Sequence, residues 1–141
     1  MMLSQTTEYA LRLMVWLAQQ EPECLFKTEG IAAAIKAPEA YLYKILQTLN
    51  RSGLVLGRKG IKGGYRLTKP ASQISLFDVI MAIEPSQNIL SCPLGLPNHE
   101  ILCPLHQKLN HIHEEMKLLF GNCHLSELVK KGDLSPLCKP H

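Results

Sequence analysis

At 141 residues the chain is long enough to bury the core of one domain without metal or disulfide staples, and its 46% hydrophobic content argues against extended disorder. The longest apolar run, residues 13–18, is much too short to cross a bilayer, and Glu8 and Arg12 interrupt the stretch that a signal peptide would need. We therefore expect a cytoplasmic protein with no membrane contact. There its five cysteines stay reduced, so they serve a metal, a redox sensor or packing rather than disulfides.

The net charge is only +3, but the positive charge is concentrated in one segment. Residues 36–69 carry eight lysines and arginines against one acid, Glu39, which leaves the rest of the chain net negative. Such a segment indicates a nucleic-acid surface, because each cation can neutralise a phosphate. Alternatively, these cations form a solvent-exposed basic surface that binds no nucleic acid.

The first half of the chain predicts three helices. Apolar residues recur at helical spacing over residues 5–19, and Thr28 and Gly30 open a short second helix. Pro38 is predicted in the first turn of a third helix, which Ser52-Gly53 ends. That helix has an apolar stripe and a polar outer face, as does the second helix of a helix-turn-helix, whose outer residues reach bases and phosphates. The predicted DNA contacts on it are Ala40, Tyr41, Tyr43, Lys44, Gln47 and Arg51, with Tyr43 and Gln47 assigned to base edges and Lys44 to phosphate.

A short hairpin with a cationic tip is predicted directly after these helices. Residues 54–56 and 65–67 read as strands, and the segment between them is rich in glycine and cations. Gly60, Gly63 and Gly64 are predicted to allow positive φ angles and a close approach to phosphates. An ordinary surface hairpin is the alternative, but this position favours a wing that contacts DNA. Its predicted contacts are Arg58, Lys59, Lys62, Gly63, Gly64 and Tyr65.

The second half predicts a loop between two helices. A capping-box pattern at Ser75–Asp78 starts a helix that ends near Glu84, and residues 89–100 show no periodicity. A long helix follows from about Pro104 to Phe120, with Gly121 as its C-cap, and a short one over residues 125–131. Apolar residues spaced four, three, four and three form a heptad seam, which we interpret as a dimer contact; packing within one domain is the alternative. The seam consists of Leu105, Leu109, Ile112, Met116 and Leu119.

These elements predict a mainly α fold with a small β wing: a winged helix-turn-helix followed by a long dimerisation helix. We place the DNA-binding domain at residues 1–84 and a linking loop, the candidate cluster-binding segment, at 85–103. The dimerisation helix and the C-terminal helix fill residues 104–141.

Several segments together resemble a known family. They are Glu8-Tyr-Ala-Leu-Arg12, Gly53-Leu-Val55, Arg58-Lys-Gly-Ile-Lys-Gly-Gly-Tyr65 and residues 74–84. They are similar to the bacterial winged-helix regulators of the IscR and NsrR type (the Rrf-two family), over essentially the whole chain through Leu125-Ser-Glu-Leu-Val129. The resemblance implies a homodimeric regulator, a repressor in our interpretation, that binds a palindromic double-stranded DNA operator.

The same resemblance implies an iron–sulfur cluster, which many members hold through three cysteines before the dimer helix. Cys92 and Cys103 stand where the first and third of these occur, with ten residues between them as in the nitric-oxide-sensing branch. The middle cysteine is missing, and residues 96–99 occupy its neighbourhood. Glu8 stands where the family supplies an acidic ligand from the partner subunit.

The chemistry of the residues allows a mixed ligand set. A cluster takes about four protein ligands, thiolates first, with histidine or carboxylate as substitutes. Cys103 and His106 lie at i and i+3 at a helix start, so they share one face. We predict that Cys92, Cys103, His106 and Glu8 hold a 2Fe–2S or 4Fe–4S cluster whose loss, by oxidation or nitric oxide, changes DNA affinity.

The sequence is compatible with two other functions. The protein could be a cluster-free regulator that senses cysteine oxidation or a small ligand. More remotely, Cys92, Cys103 and His106 could bind zinc, with Glu100 as the base of a metalloenzyme. Because the sequence contains no H-E-x-x-H motif and no nucleophile elbow, we do not expect an enzyme.

Overall fold

The computed structural model describes residues 3–86, 88 and 102–129. Three helices open the fold: α1 (Gln5–Ala18), α2 (Thr28–Ile35) and α3 (Glu39–Arg51). An antiparallel pair of strands follows, β1 (Val55–Arg58) and β2 (Gly64–Leu67), and then a 3-10 turn at Ala71–Gln73. Three further helices complete the described part: α4 (Leu76–Ile83), α5 (Pro104–Gly121) and α6 (Leu125–Leu128). The predicted mainly α fold with a small β wing is confirmed.

The ends of α3 and α4 follow from local chemistry. Gly53 follows Ser52, the C-cap of α3, and adopts a φ of 79°. Its amide therefore donates to the Asn50 carbonyl at 3.1 Å, and the Leu54 amide donates to the Leu49 carbonyl at 3.0 Å. This pair of bonds is a Schellman motif, which glycine allows at little steric cost. At the start of α4, the Asp78 amide donates to Ser75 Oγ and the Ser75 amide donates to Asp78 Oδ2, both at 3.0 Å, in the predicted capping box.

One apolar core joins the helices of the first half to the end of the described chain. Leu13 of α1, Leu42 of α3 and Val79 of α4 are fully buried in it. Leu125 of α6 joins them with 0% of its surface exposed. The Leu125 amide bonds the Ile74 carbonyl at 2.9 Å, which fixes the return of the chain after α5. Residues 122–128 are therefore tied to the winged-helix core.

Helix α5 differs from the others because none of its residues is buried. It packs along α4, and beyond the end of α4 the Asn88 side-chain amide donates to Glu114 Oε1 in the middle of α5 at 2.7 Å. Its predicted seam lies toward solvent: Leu105 is 63% and Leu119 73% exposed. The seam therefore packs only in small part against the described residues of its own chain.

Three local predictions are corrected. Gly121 is the last residue of α5, and Asn122 takes the cap position. Pro38 lies at the N-cap of α3, one residue before its first turn, where its missing N–H is equally harmless. The last helix ends at Leu128 instead of residue 131, and the predicted loop at 89–100 lies outside the described residues. Within the described ranges, no helix is long and apolar enough to span a bilayer.

Candidate nucleic-acid interface and the Cys103–His106 pair

Helix α3 turns its polar face to solvent because its apolar face is buried. Leu42, Ile45, Leu46 and Leu49 enter the core, which leaves Ala40, Lys44, Gln47 and Arg51 exposed on the other side. Tyr43 is 48% exposed, and its hydroxyl accepts a hydrogen bond of 2.7 Å from Gln47 Nε2. This bond orders the two side chains that the sequence assigns to base edges.

Tyr41 does not share this surface. Its ring meets the Tyr9 ring edge-on at 5.6 Å between centroids, and its hydroxyl contacts that of Thr6. The structure thus holds Tyr41 against α1, apart from Tyr43 and Gln47.

The wing is a tight hairpin whose tip carries exposed cations. Strand pairing runs from Val55 opposite Leu67 to Arg58 opposite Gly64. The Gly63 amide donates to the Gly60 carbonyl at 3.0 Å, which closes a β-turn at the tip. Arg58, Lys59 and Lys62 are exposed around this turn, as the sequence predicts.

The wing glycines have different roles. Gly60 has a φ of 103° and open space beside its Cα, and Gly64 has a φ of 148°. A Cβ on Gly64 would lie 2.6 Å from the Phe26 carbonyl oxygen. The predicted positive φ is wrong for Gly63. Glycine is needed at this position because a Cβ would collide with the Arg58 carbonyl. Gly63 and Gly64 are both buried, so their role is to allow the close backbone packing of the wing.

The segment before α2 contacts the wing, and this contact was not predicted from the sequence. Phe26 exchanges two backbone hydrogen bonds with Tyr65, of 3.0 and 2.8 Å, and Lys27 Nζ donates to the Gly60 carbonyl at 2.5 Å. Lys27 lies outside the basic segment 36–69, at the N-cap of α2, and no sequence pattern relates it to the wing. Its contact with the wing depends on pairing between residues far apart in the chain.

Helix α3 and the wing face each other across a cleft of about 380 Å³. Tyr43, Gln47 and Asn50 line one wall, while Arg58 and Tyr65 line the other. Burial raises the pKa of Tyr65 above its ordinary value of 10.0, with a smaller contribution from nearby Tyr43. A second concavity continues the surface from this cleft past α2, and its lining carries charges of both signs. It is lined by Lys27, Thr28, Glu29, Glu39, Ala40, Tyr43 and Lys44.

Of the predicted metal ligands within the described residues, the structure brings Cys103 and His106 together. Cys103 occupies the N-cap position of α5, and its Sγ lies 3.3 Å from His106 Nδ1. Glu8 instead pairs with Arg12 on α1, at 3.2 Å between Oε1 and Nη2. Cys92 lies outside the described residues. Across residues 3–86, 88 and 102–129, no group of three or more metal-binding side chains occurs.

The fold and the exposed basic surface of α3 and the wing define a winged helix-turn-helix protein. This class binds DNA by placing the second helix of the motif in the major groove.

Comparison with known proteins gives the family. Residues 3–131 match the Rrf2 family, described as iron-dependent transcriptional regulators, and the chain belongs to this family. Its members are transcriptional regulators, which confirms the prediction that the protein is not an enzyme.

Individual relatives agree with this assignment. Protein aau3 of Rhizobium meliloti (strain 1021) is 42% identical over 105 residues, covering 74% of this chain and 66% of the relative. The chain thus spans slightly less than two thirds of that relative's length. The structure of CymR, the global cysteine regulator of B. subtilis, has a TM-score of 0.74 at 25% identity, covering 94% of this chain and 99% of CymR. T. potens IscR shares the fold with a TM-score of 0.74 at 22% identity, covering 92% of this chain and 87% of IscR.

Proposed function

We propose that the protein is a cytoplasmic repressor that binds a palindromic DNA operator as a homodimer, with DNA affinity controlled by an iron–sulfur cluster. The observation that carries the DNA-binding part is the continuous surface formed by the solvent face of α3, the cleft and the wing. Its polar side chains are exposed, and its cations surround the cleft.

Within this surface we assign different tasks to different residues. Tyr43 and Gln47 read base edges, because their mutual hydrogen bond orders both side chains at the exposed centre of α3. Lys44, Arg58, Lys59 and Lys62 neutralise phosphates, which sets affinity and its salt dependence. Ala40 and Arg51 lie on either side of Tyr43 and Gln47 along α3, and Tyr65 faces that pair across the cleft from the wing. Tyr41 acts from beneath, by holding α3 against α1.

The homodimer rests on the seam of α5. Leu105, Leu109, Ile112 and Leu119 are exposed, and Met116 is half-buried between them. An 18-residue helix is about 27 Å long at helical rise, so two copies can bury these side chains along two heptads. A two-fold axis through this contact would match the symmetry of a palindrome.

The proposal that a cluster senses the signal is supported by the chemistry of the candidate ligands. A thiol and an imidazole 3.3 Å apart at a helix start are suitable cluster ligands, and we propose Cys92 and, from the partner subunit, Glu8 as the others. Bound there, a cluster would supply redox and nitric-oxide reactivity. Of these residues, Glu8 belongs to α1, which packs on α4, whereas Cys103 and His106 lie at the start of α5. A cluster that joins them would therefore affect the angle between the two winged domains.

A cluster-free regulator is the second candidate, because the middle cysteine of the family pattern is missing and CymR, named as a cysteine regulator, shares the fold. Protein purified without oxygen and analysed for iron and acid-labile sulfide separates the two. Iron and sulfide that fall together in Cys103→Ala and His106→Ala support the cluster. Protein that takes up neither during reconstitution has no cluster.

The DNA-binding proposal is tested by selecting duplexes from a randomised pool with the full-length protein. Enrichment of a palindrome supports the proposal. The proposal is contradicted if the protein retains only unenriched sequences at low salt and retains no duplex at physiological salt.

A further inference from the structure

One apolar side chain lies almost fully exposed among the cations of the wing. Ile61 is 97% exposed, the highest value among the large apolar side chains that the structure describes as exposed. Corner positions of β-turns favour glycine, proline, asparagine, aspartate and serine, so local turn chemistry does not account for isoleucine there.

The geometry of the turn fixes where Ile61 points. Gly60 and Gly63 close the turn through a hydrogen bond of 3.0 Å, so Ile61 and Lys62 occupy its two corners, both with negative φ. The Gly60 carbonyl also accepts the hydrogen bond from Lys27 Nζ, which ties the turn to the segment before α2. The tip is therefore held in place and presents Ile61 outward.

We propose that Ile61 enters the DNA minor groove beside each half-site and contacts a base step there, an inference that rests on the proposed DNA-binding function. With α3 in the major groove, the adjoining wing reaches across the phosphate backbone to the next groove. The minor groove is only about 6 Å wide, which suits a single-turn tip. Arg58, Lys59 and Lys62 around the tip complement the phosphates on both walls.

An apolar side chain in the minor groove acts through the stiffness of the DNA. Such residues partly unstack a base step, and pyrimidine–purine steps such as TA yield most easily. Ile61 therefore gives a preference for a flexible step in the flank of each half-site, without a hydrogen bond to any base. Lys27 is a positioning residue in this account, because its bond to Gly60 holds the turn that carries Ile61.

The test uses the selected operator with each flanking step changed in turn from TA to AA, and measures full-length protein by fluorescence anisotropy. Wild type should favour TA over AA at one flanking position. Ile61→Ala should lose that preference and bind the TA duplex on the order of tenfold more weakly, since burial of isoleucine is partly offset by the cost of unstacking. The salt slope should not change, because no charge is removed.

Lys62→Ala is the matched control at the neighbouring corner: it should lower the salt slope and keep the TA preference. Lys27→Met should reduce the TA preference in the wild-type background and have no such effect in Ile61→Ala. A preference that survives Lys27→Met overturns the positioning role of Lys27.

If wild type binds the operator and Ile61→Ala has the same affinity and the same step preference, Ile61 does not contact the base step and the inference is wrong. If wild type binds no duplex at all, the proposed function fails as well. Because Ile61 is almost fully exposed, its replacement should leave the thermal midpoint unchanged, which checks that the variant is folded.

Discussion

Replacing Leu125 by alanine should destabilise the whole winged-helix core, although Leu125 lies more than forty residues after α4. Its side chain is fully buried among residues of the first half, and its amide bonds the Ile74 carbonyl. The change removes three carbon groups worth about 0.8 kcal/mol each and leaves a cavity. We expect the free energy of unfolding to fall by about 3 kcal/mol, a large fraction of the roughly 5–15 kcal/mol typical of a domain.

Urea denaturation followed by circular dichroism measures this loss, at one fixed protein concentration because a dimer's stability depends on it. Leu128→Ala is the matched control on the same helix, since Leu128 is 37% exposed, and it should cost less than about 1 kcal/mol. Equal, small losses for the two variants would refute the conclusion that α6 is part of the core.

Three further predictions follow from particular contacts. Gly53→Ala should lower the free energy of unfolding by about 1 kcal/mol, through strain at positive φ and not through a clash, because the space beside Gly53 is open; an unchanged denaturation midpoint would contradict this. Hydrogen bonds from Ser4 and then Thr7 hold the pKa of Glu84 below its ordinary value of 4.5, so Glu84 stabilises the fold above that value and loses this effect as the pH falls through the lowered pKa. Stability should therefore fall more steeply with acid in wild type than in Glu84→Gln, and equal slopes would count against the interaction. Ile112→Asp should convert a dimer to a monomer in light scattering at micromolar concentration, whereas a wild-type monomer would refute the seam.

Helix positions could be predicted from the sequence because they depend on local periodicity and capping. The pattern over residues 5–19 predicts α1 to within one residue, and Ser75 with Asp78 predicts the start of α4. Gly53 likewise ends α3 through bonds to residues three to five positions earlier.

The missed features depend on tertiary packing or on close backbone approach, which local sequence patterns do not show. Lys27 reaches Gly60, and Tyr41 turns toward Tyr9, because of how α1, α2 and the wing pack together. Gly63 is required by a close backbone approach to Arg58 and not by its own φ, a distinction that a glycine-rich segment cannot reveal. The pairing of Cys103 with His106, in contrast, follows from their spacing on a helix.

The salt dependence of operator binding tests the central claim, that the outer face of α3 and the wing form a DNA-binding surface. We expect Lys62→Ala to weaken binding to all duplexes about equally and to reduce the slope of log affinity against log salt by about one per half-site. Gln47→Ala should instead change which bases are preferred, with the slope preserved. Wild-type affinity, slope and sequence preference in both variants would contradict the assignment of this surface to DNA.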